Sequence, residues 1–282
     1  MKKLYGFPYM GSKTVIADDI LRQLPNGKRF VDLFGGGFAM SHAALLSGKY
    51  QQVFYNEYNP LCVDLLKRAI NGEFSYKRFR PEFITREEFC KKHNTDGYIQ
   101  YIWSFGSRGG TYIFGKDKEP LKKAAHDWVV FGKWSSLLEK YAPYTRRLKS
   151  MSIHNRRLEF QRLIKANGKR LDFEQLEQLE RLERLERLTL IINQGSYLDY
   201  EYQEGDTVYC DPPYEKTTTY SGGFDIAQFY DWAASREYKL WFSSYKISDK
   251  RFKMVWAKQK RVTLNAKDNT RVMFECLYTN KG

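Results

Sequence analysis

Two consecutive prolines end a strand, and this chain places such a stop at Asp211-Pro212-Pro213-Tyr214, directly after the apolar run Thr207-Val208-Tyr209-Cys210. The run reads as a buried strand. Proline supplies no N–H and locks φ, so the strand stops there. A carboxylate, a carbonyl and an aromatic ring are thereby held at its carboxyl end, where open α/β sheets bind their ligands. Acceptors topped by a flat ring suit an amino group on a flat heterocycle. Asp211 and the Pro212 carbonyl each accept an N–H, and Tyr214 stacks on the ring face. A Pro-Pro turn without a ligand is the plain alternative.

Both ends of the chain read as α/β. Ser12 to Leu24 is predicted helical, ended by Pro25. Arg29 to Phe34 is a strand entering Gly35-Gly36-Gly37, followed by a helix over Ala39 to Leu46. Gln52 to Tyr55 is a second strand and Pro60 to Ile70 a second helix, the repeating unit of a parallel sheet. After the middle stretch, strands are predicted at Leu188 to Ile192, Thr207 to Cys210 and Lys239 to Tyr245, with a helix at Ala227 to Ala234. Arg261 to Leu264 and Met273 to Tyr278 read as a closing antiparallel pair.

From about 72 to 170 the alternation is lost, and the charge gathers there. Of a net +14 over 282 residues, residues 61–170 hold 24 Lys/Arg against 11 Asp/Glu. Tyr98, Tyr101, Trp103, Phe105, Tyr112, Phe114, Trp128, Phe131 and Trp134 are interleaved with them. Such a mixture suits phosphate contacts and base stacking, with a solvated basic surface over ordinary core aromatics as the alternative. Leu121 to Lys149 reads as one or two helices broken near Pro143. In Leu176 to Leu188 five leucines recur every third residue. That spacing spirals around a helix, which suits an exposed spacer better than a core helix.

Composition excludes several classes. No run of about 18 apolar residues predicts a membrane span. The start, Met1-Lys2-Lys3-Leu4-Tyr5-Gly6, lacks a signal-peptide core. Cys62, Cys90, Cys210 and Cys276 form no Cys-x-x-Cys pair, and His42, His93, His126 and His154 are dispersed. A cytoplasmic protein without disulfides or metal is expected.

The strand-glycine-helix element at 30–46 lets a charged ligand approach backbone N–H groups at a helix start. It lacks the spacing of the dinucleotide fingerprint. Glu57, ending the next strand, stands where an acid meets ribose hydroxyls. A tight turn and a solvated carboxylate are the respective alternatives.

In this order the motifs resemble a Dam-type (D12 class) DNA adenine-N6 methyltransferase of the kind common in bacteria and phages. Tyr9-Met10-Gly11-Ser12-Lys13 is similar to the family's N-terminal cofactor motif, with Tyr9 and Lys13 as pocket residues. Val31-Asp32-Leu33-Phe34-Gly35-Gly36-Gly37 resembles the Phe-x-Gly-x-Gly motif, with Phe38 at the last glycine. Asn56-Glu57-Tyr58-Asn59-Pro60 resembles the acidic motif, with Glu57 for the usual Asp. Ser196-Tyr197-Leu198-Asp199-Tyr200 resembles the motif whose acid, here Asp199, accepts the cofactor's adenine amino group, with the Tyr200 backbone beside it. A turn-forming Asp is the alternative there.

The resemblance implies an α/β, Rossmann-like methyltransferase sheet with an inserted, mainly helical recognition domain. The expected division is 1–70, 71–189 and 190–282, the outer parts forming the catalytic domain. S-adenosyl-L-methionine is the implied cofactor, held by Tyr9, Lys13, Asp32, Phe34, Gly35, Gly36, Gly37, Glu57, Asp199, Tyr200 and Asp211. Double-stranded DNA is the implied partner, its target adenine flipped into Asp211, Pro212, Pro213 and Tyr214. Arg108, Lys116 and Lys118 are expected beside the DNA, with Tyr112 as a base contact or wedge. Three alternatives stay open: cytosine-N4 transfer, whose family usually carries Ser in place of Asp211; RNA methylation; and a non-catalytic cofactor-binding protein. Target sequence and oligomeric state are not legible.

Overall fold

The computed structural model describes residues 4–75, 80–141, 151–166, 179, 182, 185, 189–214, 223–263 and 270–281. Its residues fall into two compact units. The first comprises Met1–Tyr5, Lys13–Val63 and Leu188–Gly282, and the second Gly6–Ser12 and Asp64–Arg187.

The first unit is built on a seven-stranded sheet of β1 (Gly27–Asp32), β2 (Tyr50–Glu57), β3 (Leu190–Gln194), β4 (Asp206–Cys210), β5 (Leu240–Ser244), β6 (Lys253–Thr263) and β7 (Thr270–Thr279). The order is β3-β2-β1-β4-β5-β7-β6. β1 to β5 are parallel, while β7 runs antiparallel to both β5 and β6. This is consistent with a Rossmann-like methyltransferase sheet. The strand order reverses between β1 and β4, so the crevice at their carboxyl ends is the natural ligand site.

Side chains alternate across the sheet with period two. Phe30, Val53, Tyr209, Trp241 and Leu277 share one core with α1 (Ala17–Gln23) and α2 (Ala39–Ser47). Their neighbours Val31, Val208, Phe242, Cys276 and Tyr278 share the other, with Phe229 and Trp232 of the helix Ile226–Ser235. Asp225 caps that helix by accepting from the Ala227 and Gln228 N–H groups. The run Lys13 to Ile16, expected to be helical, is turn, and α1 begins at Ala17.

The second unit is mainly helical. It holds most of α3 (Pro60–Ile70), then α4 (Arg86–Lys92), α5 (Gly97–Ile102), α6 (Glu119–Phe131) and α7 (Ile153–Ala166), so that Ile226–Ser235 is α8. Thr85 and Glu88 form a reciprocal capping box at α4. Gly132, at φ 68°, ends α6, and Ser136–Tyr141 is a 3-10 turn, so no single helix spans Leu121 to Tyr141. Residues 142–149 of that expected stretch lie outside the described residues.

Within the leucine repeat only Leu179, Leu182 and Leu185 are described, and all three are buried. Three leucines at this spacing drift by only about 120° on a helix, within one apolar stripe. The expectation of an exposed spacer fails for them. Among the described residues no helix is long and apolar enough to cross a membrane.

Candidate active site

Glycine geometry shapes the carboxyl end of β1. A Cβ on Gly35 would collide with the Tyr55 ring. Tyr55 donates its hydroxyl to the Gly36 carbonyl at 2.8 Å, and the Gly36 N–H donates to Glu57 Oε2 at 2.8 Å. Glu57 Oε1 accepts from the Asn59 N–H. Asn56 joins three strand ends: its amide donates to the Leu33 and Gly195 carbonyls, and its oxygen accepts from Asn193. Phe38 enters α2 at φ 67° with its ring fully buried. It stacks on His42 and meets Tyr55 edge-on.

Asp32 ends β1 and is 1 % exposed. Its Oδ2 accepts from the Ser41 hydroxyl at 2.7 Å. Its Oδ1 has no hydrogen-bond partner among the described residues. Burial pushes this carboxyl up to about 7, with the charges of Asp211 and Glu57 adding and Ser41 opposing. Glu57 is raised by burial against its backbone donors.

Asp211 follows β4, and 211–214 take no regular secondary structure. Lys13, itself buried, donates to Asp211 Oδ2 at 2.6 Å. Lys13 Nζ also lies 3.6 Å from Glu275 Oε1 and 4.9 Å from the centre of the Tyr214 ring. The Tyr214 hydroxyl is placed to donate to two carboxylates, Asp211 Oδ1 at 3.1 Å and Glu275 Oε1. Tyr245 braces the Tyr214 ring edge-on, 4.7 Å between centres. Burial raises the Asp211 carboxyl, Lys13 pulls it back, and Glu275 adds to the rise.

The profile of the D12 class N6 adenine-specific DNA methyltransferase family matches residues 9–263. The chain belongs to this family. It is therefore an enzyme that methylates adenine N6 in DNA, in a family that generally uses S-adenosylmethionine. The family's reaction, on adenine N6 in DNA, differs from the cytosine-N4 and RNA alternatives. Curated protein sequences give no match.

In this methyltransferase Asp32, Glu57, Lys13, Asp211 and Tyr214 all belong to the first unit. Phe34 is half-buried in an aromatic cluster with Tyr197 and Phe229. Asp199 is exposed, in the 3-10 turn Tyr197–Asp199. With Tyr200, Asn56 and Asn193 it lines a cleft of about 250 Å³. That is just below the ~300–1,000 Å³ of sites enclosing a whole small molecule, so it fits a flat part of one. Tyr200 donates its hydroxyl to Asp206. Tyr9 lies in the second unit, its ring against Phe7 and Tyr101.

The second unit corrects one expectation. Tyr112 is 4 % exposed, and its hydroxyl donates to the Ile84 carbonyl at 2.6 Å under the Arg86 guanidinium. A ring so packed cannot serve as a wedge. The segment is closed by a Ser104–Tyr112 bridge and by the Phe105 N–H donating to the Thr111 carbonyl. It presents Phe105, 63 % exposed, instead, and Arg108, Lys116 and Lys118 are exposed nearby in sequence. Most aromatics of this stretch, including Tyr98, Tyr101, Trp103 and Trp128, are core.

Glu275, 2 % exposed, escaped the sequence reading. A signal existed: it is the one charge in the apolar run Val272-Met273-Phe274-Glu275-Cys276-Leu277-Tyr278. Among the described residues no group of three or more His, Cys, Asp or Glu could hold a metal.

Proposed function

We propose that this enzyme takes a flipped adenine from double-stranded DNA into a site made by Asp211, Pro212, Pro213 and Tyr214, with S-adenosylmethionine held by the carboxyl ends of β1, β2 and β3. The observation that carries it is Asp211, pinned by Lys13 at the topological switch point, beside the unpartnered Asp32 oxygen.

The residues fit the cofactor. Two buried carboxylates, Asp32 and Glu57, and the half-buried Asp211 have their pKa values raised by desolvation, with Asp211 and Glu57 adding to the rise at Asp32, an arrangement that a cationic ligand relieves. Asp32 Oδ1 offers the acceptor. Glu57, with backbone donors from Gly36, Asn59 and Tyr58, retains acceptor capacity for a ribose hydroxyl. Asp199 accepts the cofactor's adenine amino group at the mouth of its cleft. Lys13, bonded to Asp211, holds the catalytic carboxylate rather than the cofactor. When bound, S-adenosylmethionine supplies an electrophilic methyl group.

The protein's part is orientation and electrostatics. The adenine amino nitrogen is a poor nucleophile because its lone pair is conjugated with the ring. Asp211 and the Pro212 carbonyl accept its two N–H groups and draw it towards tetrahedral geometry, freeing the lone pair. Tyr214 stacks on the base. Once the nitrogen is methylated it is acidic, so Asp211 need not be a strong base. Arg108, Lys116 and Lys118 contact phosphates, and Phe105 takes the place expected for Tyr112 as a base contact or wedge. With such a substrate the enzyme would work in the cytoplasm of a bacterial cell or phage-infected host.

The test is transfer of labelled methyl from S-adenosylmethionine to unmethylated duplex DNA, with single-stranded DNA and RNA in parallel, read by nucleoside mass spectrometry. N6-methyladenine from the duplex is expected, and Asp211→Ala should abolish it while salt-sensitive DNA binding persists. Preferred methylation of single strands or RNA would overturn the duplex assignment. Parallel loss of binding would give Asp211 a folding role.

A further inference from the structure

Glu275 lies outside every motif that carries the family resemblance, yet touches two of them. It sits on β7, opposite Lys258 of β6, and its carboxylate meets both Tyr214 and Lys13. Tyr214 therefore has two carboxylates within reach of one phenolic proton. The hydroxyl is placed to donate to Glu275 Oε1 and, at 3.1 Å, to Asp211 Oδ1, and its one proton fully serves only one of them at a time. The other Asp211 oxygen, Oδ2, already accepts from Lys13. Oδ1 is thus the Asp211 oxygen without a cationic donor and the better placed to meet the substrate's amino group, and it is also the one that the Tyr214 hydroxyl reaches at 3.1 Å and would hold fully if Glu275 were absent. A phenol–carboxylate bond there competes directly with the substrate N–H for the same lone pairs.

We propose that Glu275 is a positioning residue for methyl transfer: it competes with Asp211 for the Tyr214 hydroxyl, so that Asp211 Oδ1 can be released to accept from the amino group of the base. This role presupposes that Asp211 and Tyr214 act on the base as proposed above. It differs from a role in which Glu275 only balances the Lys13 charge. Charge balance does not depend on the Tyr214 hydroxyl, whereas the proposed role depends on nothing else.

The experiment measures kcat and KM on duplex DNA, together with thermal melting, for Glu275→Met, Glu275→Asp and Glu275→Gln, each with and without Tyr214→Phe. Met removes the acceptor at similar volume, and Asp withdraws it by one methylene. Either variant, folded, should lower kcat about tenfold or more with KM for DNA nearly unchanged. Gln keeps an acceptor oxygen and should recover most of the loss. Adding Tyr214→Phe to the Met or Asp variant should raise kcat again, because the competing hydroxyl is gone. Near wild-type kcat in both folded variants overturns the proposal. So does a double variant no faster than its Glu275 parent. A wild-type protein inactive on DNA would overturn the functional reading and this role with it, whereas an active one lacking the suppression overturns this role alone.

Discussion

Phe38 carries a large ring where the backbone favours glycine. The left-handed conformation costs a non-glycine residue about 1–2 kcal/mol. Burying the ring against His42 and Tyr55 outweighs that cost, since deleting a core Phe typically loses ~3–5 kcal/mol. Phe38→Gly should therefore restore the family's residue yet destabilise the protein by roughly 1–4 kcal/mol, seen as a lower denaturant midpoint at unchanged slope. A midpoint at or above wild type would mean that the strain dominates. Asp32 gives a pH prediction. Its carboxyl, raised by burial from 3.8 to about 7, keeps its proton in the fold over a range where the unfolded chain has lost it. Its contribution to stability therefore falls as pH rises from about 4 to about 7 and is flat beyond. Asp32→Asn should flatten the fall in melting temperature across that window while weakening S-adenosylmethionine binding roughly tenfold or more, read by calorimetry. An unchanged pH slope would remove Asp32 from this account.

At the scale of elements, a side-chain clamp ties β1 to β4. Arg29 and Asp206 face each other in register and bond through two parallel N–H donors at 2.8 and 2.7 Å, with Tyr200 donating to the same carboxylate. Burial raises the Asp206 carboxyl, but Arg29 and Tyr200 outweigh it, and it ends below its usual value. Its contribution has the opposite sign to that of Asp32: present above the unfolded carboxylate range and lost on acidification through the lower folded value. Asp206→Ala should cost about 3–5 kcal/mol, because it strands a largely buried guanidinium. A loss under about 1 kcal/mol, in the range of a surface pair, would show the clamp to be solvent-screened. Most of the strands were legible, because alternation and the Pro212-Pro213 stop are local signals, but β6 was expected only at Arg261 to Leu264 and in fact begins at Lys253. The early end of α1 was not, since Lys13 to Ile16 have helical spacing but leave the helix where Lys13 turns to Asp211. Nor was the place of Glu275, which depends on β7 pairing with β5 and β6 and on nothing in its own neighbourhood. Tyr112 was misjudged because basic surroundings say nothing about which aromatic of a folded loop faces outward.

For the whole molecule, charge is partitioned more sharply than any fold signal, with the excess of Lys and Arg over 61–170. If Arg108, Lys116 and Lys118 meet phosphates, changing each to Ala should weaken binding to all duplexes alike and reduce the salt slope by about one per contact. Phe105→Ala should lower affinity without altering that slope, and Tyr112→Phe should leave DNA affinity alone. A steeper loss for Tyr112→Phe than for Phe105→Ala would reverse their assignment. The sheet order has a consequence for synthesis. β1 pairs with β4, whose first residue, Asp206, lies far along the chain from Arg29, and the carboxylate cluster is complete only when Glu275 has emerged. At roughly 5–20 residues per second, β1 waits on the order of ten to thirty seconds on the ribosome for its central neighbour. A nascent chain thus holds no assembled site until Glu275 has emerged, so copies that stop short of it cannot mark the DNA around which they are made.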